Sequence, residues 1–275
     1  MSAFFAMIRK HLFESRWLLV LTAAALFGLS WLTVYITSKT EARVRQATGS
    51  LRGLGRFAFR GVEVPIQELE SVAFEVAWWN HPFILLSVLT WAVARGSGAV
   101  AAEVERGTLD LILSRPVSRS AYLASHVVVA GLGLAVLAAT LVAGNLTGTR
   151  YNRVETPATF LVLARPALNL AALGLAVHGY TLLFSALESV RWRPNLIGSV
   201  LTLVGFILLV IANVPVLEDW KWLGNLSIFK AYDPVAAAVH GRNLAFNAGL
   251  LGGIGLAGIV VAFVGFNWRD LPANS

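Results

Sequence analysis

Residues 17–37, W-L-L-V-L-T-A-A-A-L-F-G-L-S-W-L-T-V-Y-I-T, contain no charged side chain. At a rise of about 1.5 Å per residue, a helix of this length crosses a hydrocarbon core of about 30 Å. Five further stretches are equally free of Asp, Glu, Lys and Arg: about 76–94, 123–147, 166–187, 196–215 and 245–266. The second is short and lies between Glu75 and Arg95. The fourth opens on Arg165-Pro166, and Pro suits a first helical turn. The fifth follows Arg193-Pro194-Asn195. The sixth is glycine-rich and stops at Trp268-Arg269-Asp270-Leu271-Pro272.

The whole composition agrees with these stretches. Of 275 residues, 57% are hydrophobic and 13% charged, whereas a soluble domain is about 25% charged. A water-soluble core of this size would leave large apolar patches exposed; lipid removes that difficulty. The expected fold is therefore an all-α membrane protein. It has six transmembrane helices, short amphipathic interfacial or coupling helices, and one domain over 1–275. The start, M-S-A-F-F-A-M-I-R-K-H, reads as uncleaved, because no small-residue cleavage site follows a short apolar stretch. Most tryptophans fall near the proposed span ends, as an aromatic belt at headgroup depth would place them; packing within the bundle is the other use of such rings.

Orientation rests on charge. Of the 22 Lys and Arg residues, this topology places ten beside the termini and twelve opposite. The total does not decide, since short loops count most. The short 188–195 loop holds Arg191 and Arg193, and the N-terminal segment holds Arg9, Lys10 and Arg16. Both termini are therefore assigned to the cytoplasm.

Two long loops look structured. In 38–75, Arg52, Arg56 and Arg60 recur every four residues, and Leu69, Val72, Ala73 and Val76 make one apolar stripe. Two interfacial helices fit, although Gly49, Gly53, Gly55 and Gly61 weaken the first. In 216–244, Asp233-Pro234 reads as an N-cap with Pro in the first turn, and Gly241 ends the short helix that follows.

Between the second and third spans lies a charged island, residues 101–122, A-A-E-V-E-R-G-T-L-D-L-I-L-S-R-P-V-S-R-S-A-Y. Glu103 and Glu105 stand early, Arg115 and Arg119 late, in agreement with a helix dipole. Glu105, Thr108, Leu109 and Ile112 share one side, with Leu113 beside them, and Pro116 breaks the run. A solvated connector is one reading of this segment; a docking element is the other.

The run E-R-G-T-L-D-L-I-L-S-R-P-V-S-R, residues 105–119, resembles the signature loop of type-2 ABC exporter permeases. Its members show an acidic residue, Gly-Thr-Leu, a Leu/Ile run and Ser-x-Pro-Val-Ser-Arg. The matching positions are Glu105, Gly107, Thr108, Leu109, Leu111, Ile112, Leu113, Ser114, Pro116, Val117, Ser118 and Arg119. Fainter echoes are L-S-I-F-K-A-Y-D-P at 226–234 and F-N-W-R-D-L-P at 266–272. The resemblance implies a coupling helix that docks in a groove of a separate ATPase subunit, with the permease acting as a homodimer, or paired with a similar permease, in a bacterial or archaeal cell membrane. Leu109, Ile112 and Leu113 would then fill the groove. Glu103, Glu105, Arg106, Arg115 and Arg119 would set its register and polarity, and Gly107 would permit close approach.

The chain carries no ATP-binding loop of its own. G-x-x-x-x-G-K-[ST] needs Lys after Gly, but Lys10, Lys39, Lys221 and Lys230 follow Arg9, Ser38, Trp220 and Phe229. ATP and Mg are accordingly expected in the partner ATPase, and no cofactor in this chain. With no Cys, no HExxH and no G-x-S-x-G, no catalytic residue, metal site or nucleic-acid partner is assigned. His178 and Tyr180, in the fourth span, are the substrate-path candidates; an interhelical hydrogen bond is the plainer use of such a His. A secondary carrier or channel is the alternative class, but charged midplane residues would favour it and none is present. An intramembrane enzyme using His178 would need a second polar partner beside it. Gly249 and Gly253 in the sixth span, and Gly144 and Gly148 in the third, have the spacing of close helix contacts.

Overall fold

The computed structural model describes residues 3–47, 72–114, 116–154, 157–239, 241 and 243–269. It is an all-α membrane protein, with no strand among the described residues. Helix α1 spans Ala3–Ala47, α2 Val72–Ala77, α3 Pro82–Ser97, α4 Ala101–Glu105 and α5 Leu109–Leu113. Then come α6, Arg119–Tyr151; α7, Phe160–Leu187; α8, Trp192–Ala212; α9, Pro234–Val239; and α10, Leu244–Trp268. Short 3₁₀ turns cover Trp78–Asn80, Glu218–Leu226 and Ile228–Ala231. The expected helices over the greater part of the 38–75 loop, with Arg52, Arg56 and Arg60, lie outside the described residues.

Among the described residues, five helices are long and apolar enough to cross a membrane: α1, α6, α7, α8 and α10. The expected second span is not one continuous helix. Residues 76–94 divide at His81, and α3 begins only at Pro82, leaving 16 residues. Pro82 is the cause: the residue before a proline is pushed out of the helical region, and His81 sits at φ −62°, ψ 135°. Pro82 then occupies the first turn, where its missing N–H costs nothing. Pro166, expected in a first turn, instead lies inside α7, which starts earlier at Phe160. Helix α1 starts far before Trp17, since residues 3–16 continue the helix as a charged extension.

Helices α1 and α6 run side by side in the same direction. The Ser30 hydroxyl donates to Leu141 O at 2.7 Å. A Cβ at Gly144 would lie 2.6 Å from Phe27 O, and one at Gly148 would lie 2.8 Å from Val34 Cβ. Helices α3 and α7 also share a direction: Gly174 faces Val88, and Ser185 Oγ donates to Ser97 O at 2.9 Å. Helix α10 follows α7 on its other side through Gly255 and Gly258, which meet Leu175 and Gly179. The glycines expected to pack, Gly249 and Gly253, have nothing within 4 Å of an added Cβ. Of the sixth span's glycines, Gly255 and Gly258 make the close contact instead.

Trp91 and Trp79 depart from the expected belt. Both are fully buried, and Trp91 lies against Gly133 of α6 with its indole N–H donating to Ala130 O at 3.3 Å. Trp17, Trp192, Trp220, Trp222 and Trp268 are exposed. At the end of the bundle away from the start of α1, Asp233 caps α9 by accepting from Ala236 N–H at 3.0 Å, and Gly241 follows at φ 58°.

Candidate functional site

The 101–122 island folds as two short helices rather than one. α4 and α5 are separated by Gly107, whose φ of 66° reverses the chain. That left-handed conformation is accessible to Gly without strain. The turn separates residues that a continuous helix would have aligned.

Glu103 is buried, 4% exposed. Its carboxylate accepts from the Thr108 hydroxyl and from Arg106 Nη2 at 3.2 Å, and Lys10 of α1 stands 3.7 Å away. A carboxylate out of water needs such partners. Here they fix the turn around Gly107 and tie α4 to α1. Arg106 also donates from Nε to Ala102 O at 3.0 Å. Glu105 is exposed and points elsewhere: it accepts the backbone N–H of Arg191, in the short connection between α7 and α8, at 3.0 Å.

Leu109 is 3% exposed and belongs to a core cluster with Met7, Tyr122, Leu123 and Phe266. Its expected place in a partner's groove is therefore corrected: the reversal at Gly107 turns it into its own bundle. Ile112 and Leu113 are half-buried against the same cluster. Leu111, which the helix reading left out, is 69% exposed. With Asp110, Ser114 and Pro116 it forms the outward surface of α5 and the segment after it. Arg115 lies outside the described residues.

Ser118 caps α6, accepting from Ala121 N–H at 3.1 Å. Arg119 reaches the C-terminal end of α10 and donates to the carbonyls of Phe266 at 3.1 Å and Arg269 at 2.6 Å. Arg269 in turn donates to Ala186 O at 3.0 Å and Glu188 O at 2.9 Å, satisfying carbonyls that the end of α7 leaves orphaned. These contacts gather the start of α1, the α4–α5 segment, the α7–α8 connection and the end of α10 at one end of the bundle. The described beginning of α1 and end of α10 therefore lie at the same end.

Beneath this end, the rings of His11 of α1 and His126 of α6 meet at a 35° tilt with centroids 3.8 Å apart, and Arg95 of α3 reaches His126 Nδ1 at 3.3 Å. The Tyr122 hydroxyl donates to Ala99 O at 2.5 Å. The weaker candidates, His178 and Tyr180, lie apart from the island. His178 Nδ1 is 3.4 Å from Ala92 O of α3, and the Tyr180 hydroxyl is hydrogen-bonded to Thr202 of α8. Both bridge helices within the chain. No cluster of three or more His, Cys, Asp or Glu side chains placed to hold a metal occurs among the described residues.

Lys10, Arg191 and Arg269 escaped the sequence reading as site residues. Only the basic character of the short 188–195 loop pointed towards Arg191.

A bundle of long apolar helices with a polar, tied-down connector at one end defines a polytopic membrane protein. The family model for "ABC-2 family transporter protein" matches residues 10–271, and the chain belongs to that family. It is an ABC transporter permease, a membrane component rather than the ATPase, and permeases of this family generally work with an ABC ATPase. No curated protein and no solved structure matches the chain.

Proposed function

We propose that this permease is the membrane subunit of an ATP-driven exporter. A pair of permeases, taken here as two copies of this chain, forms the substrate path, and separate ATPase subunits dock on the exposed face of α4 and α5. ATP and Mg act in those subunits. Both termini and the α4–α5 segment face the cytoplasm, where ATP is. On this reading α3 is the second of six crossings. In support, α3 together with the 3₁₀ turn before it links the Trp79–Tyr232 contact (Tyr232 hydroxyl to Trp79 O, 3.1 Å) to the Ser97–Ser185 contact at the other end.

The observation that carries the coupling role is the three-way anchoring of the segment. Glu103 reaches α1 through Lys10, Glu105 reaches the α7–α8 connection through Arg191, and Leu109 is set in the core. A push on exposed Leu111 is thus delivered to several spans rather than absorbed by a loose loop. Interfaces of packed helices shift between discrete arrangements rather than deforming smoothly, which suits a transport cycle.

Co-purification with the candidate ATPase tests this. Wild type should retain the ATPase and stimulate its hydrolysis, whereas Leu111→Asp should lose retention or stimulation while keeping its fold. Failure of wild type to bind any ATPase would remove the proposal.

A further inference from the structure

An open surface cleft of about 330 Å³ lies beside the coupling segment, lined by Ala94 and the exposed residues Glu105, Arg191, Trp192 and Asn195. It holds one acid and one base that do not neutralise each other. Glu105 meets Arg191 through the latter's backbone N–H, and no ion pair joins their side chains among the described residues. The neighbouring charges are already engaged: Arg193 pairs with Glu188 at 3.2 Å and Arg106 with Glu103 at 3.2 Å. The Arg191 guanidinium extends over Gly98, its Nη2 3.6 Å from where a Cβ would stand. The cleft therefore offers a carboxylate and a guanidinium not paired with each other, with Asn195 also in its lining.

Its rim continues into an apolar stripe. Trp192, Leu196 and Val200 are exposed on α8 at four-residue spacing, so they lie on one face of the helix. Trp192 is the kind of ring found at headgroup depth. A ligand matching all of this has a positive and a negative group close together at one end and an alkyl chain at the other.

We infer that this cleft binds the headgroup of a zwitterionic aminophospholipid. The phosphate is held by Arg191 and Asn195. The primary ammonium donates to the Glu105 oxygen that does not accept from Arg191. The acyl chain runs along Trp192, Leu196 and Val200. Guanidinium–phosphate contacts are charge-assisted and directional. A quaternary choline has no N–H for Glu105, and an anionic lipid without an amine leaves the carboxylate facing like charge. The site joins α3, α4 and the start of α8, so an occupied cleft braces the coupling segment against two spans. The inference needs only that the chain lies in a membrane; because Glu105 also anchors the coupling segment, lipid retention and ATPase retention are read separately.

Native mass spectrometry of the detergent-purified full chain, with phosphatidylethanolamine, phosphatidylcholine or phosphatidylglycerol added in turn, tests it. Wild type should retain about one phosphatidylethanolamine per chain, in preference to the other two. Glu105→Gln should abolish the preference over phosphatidylcholine. Arg191→Gln should lower retention of all three about tenfold, the scale of one lost charge-assisted hydrogen bond, and Arg191→Lys should restore part of it. Unchanged lipid-free melting temperatures show that the variants are folded. Equal retention of the three lipids by wild type overturns the inference. So does retention that no variant alters; if those variants instead lose the ATPase, the cleft belongs to the ATPase.

Discussion

Gly179 of α7 and Gly255 of α10 put two backbones in direct contact: a Cβ on Gly179 would stand 2.2 Å from Gly255 O, and one on Gly255 would stand 2.6 Å from Leu175 O. Neither can be relieved by rotating a side chain, because the obstructing atoms are backbone. Gly255→Val should therefore push α10 off α7 and cost about 3 kcal/mol, the upper end of overpacking effects. Gly253→Ala, two residues away on another face of the helix and facing open space, should cost no stability. Melting followed by fluorescence-detected size exclusion separates the two; equal melting points would contradict the contact.

Trp91 and Gly133 form a second lock, between α3 and α6. A Cβ on Gly133 would fall 2.0 Å from the indole ring, which is wholly buried. Trp91→Ala should cost about 3–5 kcal/mol through cavity formation. Gly133→Ala should be harmful with Trp91 present and milder with Trp91→Phe. A double-mutant cycle reads that coupling, and strict additivity would rule it out.

Asn169 organises the opposite end. Its amide donates to Ala231 O at 3.0 Å and its carbonyl accepts from Asp233 N–H at 3.1 Å, so one side chain holds both sides of the turn that leads into α9. Asn169→Ala leaves a buried carbonyl and an N–H without partners, at about 1–3 kcal/mol each. Hydrogen exchange should rise first at 231–239. Exchange that rises evenly over the whole chain would argue against a local clamp.

These locks also show what the residues disclosed in advance and what they did not. Apolar length and charge at the span ends placed five long helices, because crossing lipid demands about 20 uncharged residues whatever the partners are; Pro166 misled, since it lies inside α7 rather than in its first turn. The break before Pro82 was legible in the same terms, since a residue preceding proline resists the helix, yet the apolar run concealed it. Gly255 and Gly249 could not be told apart, because spacing alone does not say which helix face meets a neighbour. In the island, Glu103, Thr108 and Arg106 are joined, but Leu109 is buried in the core and Leu111, left off the apolar side, faces out. A single Gly107 at positive φ rotates every later residue, and sequence periodicity assumes that no such reversal occurs. Lys10 and Arg191 come from distant segments, and only tertiary packing brings them to Glu103 and Glu105.

Arg119 links the island to the end of the chain. Its guanidinium donates to the Phe266 and Arg269 carbonyls, and Arg269 donates on to the end of α7. Arg119→Ala should loosen residues 266–269 while leaving the middle of α10 protected. Arg119→Lys should rescue little, since an ammonium lacks the planar fork that spans several carbonyls. Hydrogen exchange at the end of α10 is the readout, and protection equal to wild type in Arg119→Ala would refute the link.

These two leucines of the island, Leu109 and Leu111, give the sharpest test of coupling. Leu109 is in the core and Leu111 faces out, only two residues apart on a five-residue helix. Leu109→Ala removes buried methyl groups and should lower stability by about 2–5 kcal/mol, reducing the amount of folded permease rather than the activity of what remains. Leu111→Asp removes no buried contact, so its melting temperature should stay within experimental scatter of wild type. If the outward face of α5 receives the ATPase, Leu111→Asp should nevertheless abolish stimulation of ATP hydrolysis in reconstituted vesicles, because a desolvated carboxylate in an apolar groove has no partner. Leu109→Ala, corrected for folded protein, should stimulate normally. The reverse pattern, with Leu111→Asp fully active and Leu109→Ala uncoupled at normal stability, would mean that α5 turns over when the ATPase binds and that the docking face is the one now buried.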